Sequence, residues 1–358
     1  MKKKFNIENL VRDNILNLKP YRSARDDFDS GILLDANENS FGSPFENDLE
    51  LNRYPMPYQE ELRTKIAAFR NVEMENVFVG VGSDEAIDLL FRIFCSPVKD
   101  RIIINPPTYG MYKVSANIND VRIDEVLLTE DFQLQTEKIL NRVTDFTKLI
   151  FVCSPNNPTA NDIDRKDIIA LLENFDGLVV VDEAYIDFSE QDSFAKAVKE
   201  YPNLIVLQTL SKAFGLAGIR LGIAIAHPEV IKYMMKVKAP YNINKLTSQA
   251  ALKAFDNLDS VNKNISLIKN EKSRLIAALQ KTEQIDQIFP SDANFLIFRI
   301  EDAFQIYKQL AELGVIIRYR GNEPRCENCL RLTVGTKEEN EKFLNALTKI
   351  LNSQTLNQ

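Results

Sequence analysis

Short continuous runs of apolar residues alternate with amphipathic stretches through the middle of the chain, from about residue 77 to residue 226. Continuous apolar strands indicate a sheet covered on both faces, and their alternation with helices indicates parallel strands joined by crossovers. The pattern therefore predicts an α/β fold with a large, mostly parallel sheet covered by helices on both faces. The predicted strands are 77–82, 101–104, 148–153, 177–185, 204–209 and 220–226.

The pattern changes after Pro228, where helical segments dominate up to about residue 282. Strand-like runs at 293–298, 315–320 and 329–335 then alternate with helices, which predicts a smaller α+β domain. The first 50 residues carry no strand–helix unit, so we expect them to pack on this small domain. The predicted units are an N-terminal segment (1–50), a large cofactor-binding domain (51–282) and a small C-terminal domain (283–358).

The net charge of the chain is −7, which argues against nucleic acid or an anionic membrane as the main partner. An anionic ligand therefore needs a local cluster of donors. No window holds 18 apolar residues, so the sequence predicts no membrane-spanning helix. The basic start, MKKKF, is not followed by the apolar core of a signal peptide. We therefore expect a cytoplasmic protein that acts on small molecules.

The four cysteines are interpreted as reduced thiols without a metal. Cys95 and Cys153 lie in apolar surroundings and are typical of small core residues. Cys326 and Cys329 form a C-x-x-C, but a structural zinc site needs two further ligands, and His227 is the only histidine. A redox or metal role for this pair is the alternative.

Ligands of open α/β sheets bind beyond the carboxyl ends of the strands, so the residues after each apolar run are the candidates for chemistry. After the first strand, Gly82, Ser83 and Asp84 lead into a helix whose N-terminal N–H groups suit a phosphate. An ordinary helix cap is the alternative. After the strand at 148–153 comes SPNNPTA, in which Asn156 and Asn157 offer amide donors and either X–Pro bond can be cis. A plain turn is the alternative there.

Two further strand ends carry charge. Asp182 follows four apolar residues and precedes Tyr185, and a carboxylate at a buried strand end is costly unless it meets a cation. Lys212 follows the strand at 204–209, with Ser211 beside it and Arg220 eight residues on, and a buried ammonium is costly unless it is paired or neutralised.

Taken together, these groups fit a phosphorylated pyridine aldehyde. A lysine can form a Schiff base with the aldehyde, and a carboxylate can keep the ring nitrogen protonated so that the ring acts as an electron sink. A phenol and an amide can bind the ring oxygen, while serine, arginine and a helix N-terminus can hold the phosphate.

The segments SPNNPT, VVVDEAY and TLSKAFGLAGIRLG resemble the signature segments of the pyridoxal-phosphate-dependent aminotransferases of the aspartate-aminotransferase fold, in the same order. The resemblance spans nearly the whole chain. Further segments are most similar to the members that act on L-histidinol phosphate: LKPYRSARD, LDANENSFG, NRYPMPY, VGSDEAIDLLFRIFC, PTYGMY and CLRLTVGT. The resemblance implies pyridoxal 5'-phosphate as cofactor and an exchange between L-histidinol phosphate and 2-oxoglutarate. The alternatives are an aromatic amino-acid aminotransferase and a phospho-amino-acid decarboxylase.

The resemblance also implies roles for single residues. Lys212 would be the Schiff-base lysine and general acid/base, with Asp182 and Tyr185 on the ring nitrogen and phenolate oxygen. The implied cofactor-binding residues are Ser83, Asp84, Tyr109, Asn157, Asp182, Tyr185, Ser211, Lys212 and Arg220. Tyr54 would reach the cofactor phosphate of the neighbouring subunit, which implies a homodimer with a shared active site.

Arg331, Tyr21 and Asn37 match substrate-binding positions of the family. Arginine suits both a phosphate monoester and a dicarboxylate, because it binds either anion in a bidentate manner. The weaker arginine candidates are Arg318, Arg320, Arg22 and Arg25. Without the resemblance, Tyr54, Tyr109 and Arg331 would each be interpreted as structural residues.

One position departs from the family pattern. Most members carry glycine after N-P-T, whereas this chain has Ala160. Glycine eases a turn that needs a positive φ, so the alanine predicts an ordinary φ at this position.

Overall fold

A seven-stranded sheet forms the large domain of the protein, as the computed structural model describes it for residues 6–28, 30–46 and 48–355. The basic start of the chain lies outside the described residues. The strand order is β1-β7-β6-β5-β4-β2-β3, with β7 antiparallel to its two neighbours and every other pair parallel. The strands are β1 (Val77–Val81), β2 (Arg101–Ile104), β3 (Arg122–Glu125), β4 (Thr147–Cys153), β5 (Leu178–Asp182), β6 (Leu204–Thr209) and β7 (Leu221–Ala226).

Helices cover both faces of this sheet because its strands are apolar on both sides. In β4, for example, Ile150 and Val152 join one apolar cluster while Leu149 and Phe151 join the other. Because successive side chains of a strand point to opposite faces of the sheet, one continuous apolar run contributes to two cores. The helices of this part of the chain are α1 (Asp13–Leu16), α2 (Glu60–Arg70), α3 (Gly82–Phe94), α4 (Met111–Ile118), α5 (Thr136–Arg142), α6 (Arg165–Asn174), α7 (Pro228–Val237) and α8 (Lys245–Phe255).

A four-stranded antiparallel sheet forms the small domain, in the order β10-β11-β9-β8. Its elements are α9 (Leu258–Leu279), β8 (Ile285–Ile288), β9 (Phe295–Ile300), α10 (Ala303–Glu312), β10 (Arg318–Tyr319), β11 (Cys329–Thr333) and α11 (Lys337–Thr355). Leu275 and Leu279 at the end of α9 belong to the core of this domain, so α9 links the two cores. The predicted α/β architecture with two domains of unequal size is confirmed.

The N-terminal residues do not lie where we expected them. Ile7, Val11 and Ile15 pack in the core between α3 and α7 of the large domain. The Arg12 N–H donates to the carbonyl of Ile93 at 3.0 Å, and the Lys236 ammonium donates to the carbonyl of Ile15 at 2.8 Å. The expectation that this segment packs on the small domain is therefore wrong for residues 7–16. An amphipathic pattern predicts a buried face, but it does not say which surface covers that face.

Two edge strands, β3 and β8, were not predicted, and the run predicted at 315–320 pairs only over β10. The sequences RIDE and IDQI in β3 and β8 are too polar for the continuous apolar pattern, because one side of an edge strand meets solvent. Among the described residues, no helix is long and apolar enough to cross a lipid bilayer.

Candidate active site

A cavity of about 600 Å³ opens beyond the carboxyl ends of β4, β5 and β6 and reaches the small-domain strands β10 and β11. The loops that follow these parallel strands meet at one edge of the sheet, which brings residues far apart in sequence together. The predicted residues that line this cavity are Ser83, Asp84, Tyr109, Asn157, Asp182, Tyr185, Ser211, Lys212, Arg220 and Arg331.

Asp182 is a fully buried carboxylate at the end of β5. Its Oδ2 accepts a hydrogen bond from the Tyr112 hydroxyl at 2.7 Å, and its Oδ1 accepts one from the Ala184 N–H at 3.1 Å. Burial raises the pKa of Asp182, while these two donors and the charge of Lys212 oppose the rise. This burial excludes an exposed acidic turn at Asp182. The neighbouring Glu183 is buried as well, and its carboxylate accepts from the side chain of Gln208 at 2.8 Å.

Lys212 extends from the loop after β6 into the same cavity, with its Nζ 5.4 Å from the centroid of the Tyr185 ring. Burial lowers the pKa of Lys212, and the charges of Arg331 and Arg220 lower it further, against the opposite effect of Asp182. A lysine with a lowered pKa presents a larger fraction of neutral amine, which is the nucleophilic form.

The first turn of α3 and the loop around Arg220 form a compact polar corner of the cavity. Arg220 lies 3.6 Å from the Asp84 carboxylate, and its guanidinium donates to the Ser211 hydroxyl at 3.5 Å. The Tyr109 hydroxyl donates to Asp84 at 3.2 Å. The backbones approach closely here, since a Cβ on Gly222 of β7 would lie 2.1 Å from the Ser83 nitrogen. Helix N-terminal N–H groups, a hydroxyl and a guanidinium together suit a phosphate.

Three arginines line the small-domain side of the cavity: Arg318, Arg320 and Arg331. Arg331 donates to the Oδ1 of Asn157 at 2.5 Å, which leaves the amide NH₂ group of Asn157 as a donor. Burial and the charge of Arg320 lower the pKa of Arg331 to about 10. Among the described residues, Glu323, 3.9 Å from Arg320, is the small-domain carboxylate that lines this wall. The wall therefore carries excess positive charge that suits an anionic ligand.

The SPNNPTA loop holds Asn157 beside the cavity. Asn156 is buried and structural, since its amide donates to the carbonyl of Pro107 at 2.8 Å and to the Thr159 hydroxyl at 2.7 Å. Both X–Pro bonds of the loop, at Pro155 and Pro158, are cis.

Ala160 has a φ of +71°, so the expectation of an ordinary φ is wrong. Its methyl group packs in a small apolar cluster with Tyr185 and Phe295 at the junction of the two domains. Burial of the methyl group offsets part of the cost of about 1–2 kcal/mol that alanine bears in this conformation.

Three predicted residues lie away from the cavity in the described chain. Tyr54 stacks on Tyr241, with ring centroids 4.5 Å apart, and is half exposed. Tyr21 is largely exposed, and Asn37 lies in a separate surface groove beside Tyr54. Any contribution of these residues to the site would have to come from a second subunit or from a rearranged N-terminal segment, and their roles stay predictions.

Sequence reasoning missed Tyr112, the side chain that donates to Asp182. Tyr112 follows Tyr109 by three residues, a spacing that puts both side chains on one face at the start of α4. The rings meet edge to face, with centroids 5.6 Å apart. The spacing in PTYGMY was thus an available signal, but burial of Tyr112 could not be inferred from it.

The cysteines are all buried free thiols. Within the described part of the chain, no group of three or more His, Cys, Asp or Glu side chains is arranged to hold a metal ion. Cys326 and Cys329 both belong to one buried apolar cluster.

Comparison with known proteins agrees with this geometry. The family model described as aminotransferase class I and II matches residues 31–347. The histidinol-phosphate aminotransferase of Flavobacterium johnsoniae is 50% identical over 353 residues, which cover 97% of this chain and 99% of that protein. The crystal structure of the histidinol-phosphate aminotransferase from Clostridium acetobutylicum matches with a TM-score of 0.78 and 26% identity, over 85% of this chain and 92% of that chain.

The histidinol-phosphate aminotransferase from Sinorhizobium meliloti, solved in complex with pyridoxal-5'-phosphate, has the same fold, with a TM-score of 0.78 and 21% identity over 89% of this chain and 90% of that chain. The chain therefore belongs to the class I and II aminotransferases, a family of pyridoxal-phosphate-dependent enzymes. Within that class, its identity to full-length relatives makes it a member of the histidinol-phosphate aminotransferase family.

Proposed function

We propose that this chain is a cytoplasmic enzyme that transfers an amino group from L-histidinol phosphate to 2-oxoglutarate, giving imidazole-acetol phosphate and L-glutamate in histidine biosynthesis. The observation that carries the choice of substrate is the arginine wall, formed by Arg318, Arg320 and Arg331, on the cavity that also contains Lys212. Both proposed substrates are anions, and both need a positively charged wall on the side opposite the cofactor phosphate.

The donor set of the cavity fits pyridoxal 5'-phosphate. The corner at Ser83, Ser211 and Arg220 suits the phosphate, and the buried Asp182 suits a protonated ring nitrogen. Tyr185 and Asn157 would bind the ring oxygen, and Tyr109 would stack on the ring. When bound, the cofactor supplies an electron sink that stabilises negative charge at the substrate Cα.

Lys212 has two proposed tasks, and the lowered pKa of its amine supports both. Its neutral amine would hold the cofactor aldehyde covalently, with loss of water, and this would also remove the cost of an ammonium in the cavity. Once a substrate amine had taken its place on the cofactor, the Lys212 amine would be free to accept the proton from the substrate Cα and to return it as a general acid. Asp182 would have to stay ionised to hold a protonated ring nitrogen.

Arg331 would bind the carboxylate or phosphate of each substrate in turn. Its contact with Asn157 couples the arginine wall to the group proposed to bind the ring oxygen. Because the guanidinium is planar and donates two hydrogen bonds side by side, one arginine can bind either a phosphate monoester or a dicarboxylate.

A homodimer is part of the proposal. The N-terminal segment and the residues just after it expose many large apolar side chains in the single chain: Tyr21, Phe28, Ile32, Leu34, Phe41, Phe45, Tyr54 and Met56. Apolar surface of this extent on one segment is typical of a protein–protein interface. A second copy that covers this segment would bring Tyr54 towards the cofactor phosphate of its neighbour.

A substrate panel tests the proposed function. Histidinol phosphate, phenylalanine, tyrosine and threonine phosphate are each supplied with 2-oxoglutarate, and glutamate and carbon dioxide are measured. We expect the largest kcat/KM for histidinol phosphate, with glutamate formed in equal amount to the oxo product. Preference for the aromatic amino acids, or release of carbon dioxide without consumption of 2-oxoglutarate, would contradict the proposal in favour of one of its two alternatives.

A further inference from the structure

Tyr112 is a fully buried tyrosine whose hydroxyl points at the carboxylate of Asp182. It lies in the first turn of α4, and the hydroxyl donates to the Oδ2 of Asp182 at 2.7 Å. The ring stacks on Phe151, with centroids 4.7 Å apart and planes 19° apart, and meets the edge of Tyr109. The ring is therefore closely packed, with its hydroxyl directed at Asp182.

The carboxylate of Asp182 needs such a donor. Full burial favours the protonated, neutral acid, and a neutral acid cannot stabilise a positive charge on a ring nitrogen. Among the residues that the structure describes, Tyr112 is the side chain that donates a hydrogen bond to Asp182, and the Ala184 N–H is the other donor. Burial and the charge of Asp182 raise the pKa of the Tyr112 phenol well above its usual range, so the donor stays protonated.

We propose that Tyr112 is a positioning residue, which acts through Asp182 by holding its carboxylate ionised and aimed into the cavity. This inference rests on the proposed role of Asp182 in binding the cofactor ring. Tyr112 does not line the cavity in the described chain, so it would act without touching cofactor or substrate. The Tyr112 ring also contacts Tyr109, the residue proposed to stack on the cofactor ring.

The other groups that face Asp182 set the electrostatic background. Asp84 raises its pKa and Lys212 lowers it. The titratable groups around it are Asp84 of α3, Tyr109 before α4, Tyr112 of α4, Cys153 of β4, Tyr185 after β5 and Lys212 after β6. Of these, only Tyr112 can be changed without altering a group that lines the cavity.

The test replaces Tyr112 with phenylalanine, which removes one oxygen and keeps the stacked ring. We expect the apparent dissociation constant of the apoprotein for pyridoxal phosphate to rise about tenfold, since the hydrogen bond to a charged group is lost. We also expect kcat to fall about tenfold with little change in KM. As the pH is lowered, the affinity for the cofactor should start to fall at a higher pH than in the wild type, because loss of the donor raises the pKa of Asp182.

Tyr233→Phe, at a buried tyrosine of α7 in the same core, is the matched control. It should change neither the cofactor affinity, nor kcat, nor the pH dependence of binding.

A double-mutant cycle separates a positioning role from a merely structural one. If Tyr112 acts through Asp182, then Tyr112→Phe adds no further loss of cofactor affinity in an Asp182→Ala background. An equal loss in both backgrounds, or unchanged affinity, kcat and pH profile in the single variant, would overturn the inference. If Asp182→Ala itself leaves cofactor affinity and turnover unchanged, the proposed function of Asp182 fails instead. Thermal unfolding of each apoprotein is measured in parallel, and a variant that only lowers Tm counts against the inference.

Discussion

At the scale of single residues, the site places a buried carboxylate, Asp182, in the same cavity as a half-buried amine, Lys212. Burial raises the pKa of Asp182 and lowers the pKa of Lys212, so it disfavours both ions. Tyr112 and the Ala184 N–H then stabilise the carboxylate, whereas Arg331 and Arg220 disfavour the ammonium. The lowered pKa of Lys212 favours the neutral amine that the proposed chemistry needs. The pKa of Asp182 stays raised on balance, so the ionised carboxylate depends on its two hydrogen-bond donors and on a positively charged partner.

Replacement of Lys212 by alanine should abolish turnover while the fold survives. We expect kcat to fall at least ~10⁴-fold, because both the covalent attachment and the proton transfer at Cα depend on this amine. The variant should still bind pyridoxal phosphate through the remaining contacts, which an absorbance titration can measure. Lys232→Ala, at an exposed lysine of α7, is the control and should retain full activity. Appreciable turnover by Lys212→Ala would refute the role given to this lysine.

Arg331→Ala should weaken the binding of both substrates. Loss of a charge-assisted contact of about 1.5–3 kcal/mol corresponds to a rise of ~10–100-fold in each KM. Arg122→Ala, at an exposed arginine on the edge strand β3, provides the comparison. Steady-state kinetics with histidinol phosphate and with 2-oxoglutarate check the expectation. If both Michaelis constants stay unchanged, the anion partner is another arginine of the wall.

At the scale of elements, the two domains meet where the SPNNPTA loop contacts the residues just before β9. The Asp292 N–H donates to the carbonyl of Ala160 at 2.8 Å, and Asp292 Oδ2 accepts from the Asp162 N–H at 2.8 Å. The Lys272 ammonium of α9 donates to the carbonyls of Ser291 and Ala293. These contacts fix the loop that carries Asn157 against the small domain that carries Arg331.

A carboxylate at this junction should make the stability of the protein depend on pH. Burial and the charge of Asp292 raise the pKa of Asp162 from its usual value near 3.8 to about 6, against the opposing effects of Ser189 and Lys272. The folded state thus holds this proton more tightly than the unfolded state. Its contribution to stability is present below pH ~4 and is lost as the pH rises through about 6.

Asp162→Asn removes this titration. We expect the variant to match the wild type near pH 4 and to exceed it at pH 8 by about 1 kcal/mol, a value reduced for the partial exposure of the group. Urea unfolding at both pH values measures the difference, with Asp131→Asn at an exposed aspartate as control. A variant that is less stable than the wild type at pH 8 would contradict this account of the junction.

The sequence predicted the strands and helices that a local run of residues defines. It did not predict features that depend on packing against distant parts of the chain. The strands from β4 to β7 could be recognised because their apolar runs are continuous, and their polar ends gave Asp182, Lys212 and Arg220. The burial of Tyr112, the packing of Ile7 and Ile15 and the positive φ of Ala160 depend on surfaces far away in the chain. No local pattern contains that information.

At the scale of the whole molecule, the site and the exposed N-terminal segment point to a dimer. The cavity lies between the large sheet and the small domain. In the single chain, Tyr54 and Asn37 line a separate surface groove. In the proposed homodimer, a second copy would cover the exposed apolar residues of the N-terminal segment by symmetry.

We expect a particle of twice the chain mass of 40.9 kDa by light scattering. Ile32→Asp, at a residue 91% exposed in the single chain, should give monomers and remove most activity although Ile32 lies outside the cavity. Leu267→Asp, at an exposed leucine of α9, should leave both the mass and the activity unchanged. A fully active monomer would show that the site is complete within one chain.

One measurement tests the central claim most directly, namely which amine carries the cofactor. Borohydride reduces the carbon–nitrogen double bond between a lysine and the pyridoxal aldehyde, and peptide mass mapping then locates the label. We expect the label on Lys212 alone, with loss of the visible absorbance of the enzyme. Label on any other lysine, or no label on a protein that is fully active with pyridoxal phosphate, would contradict the account.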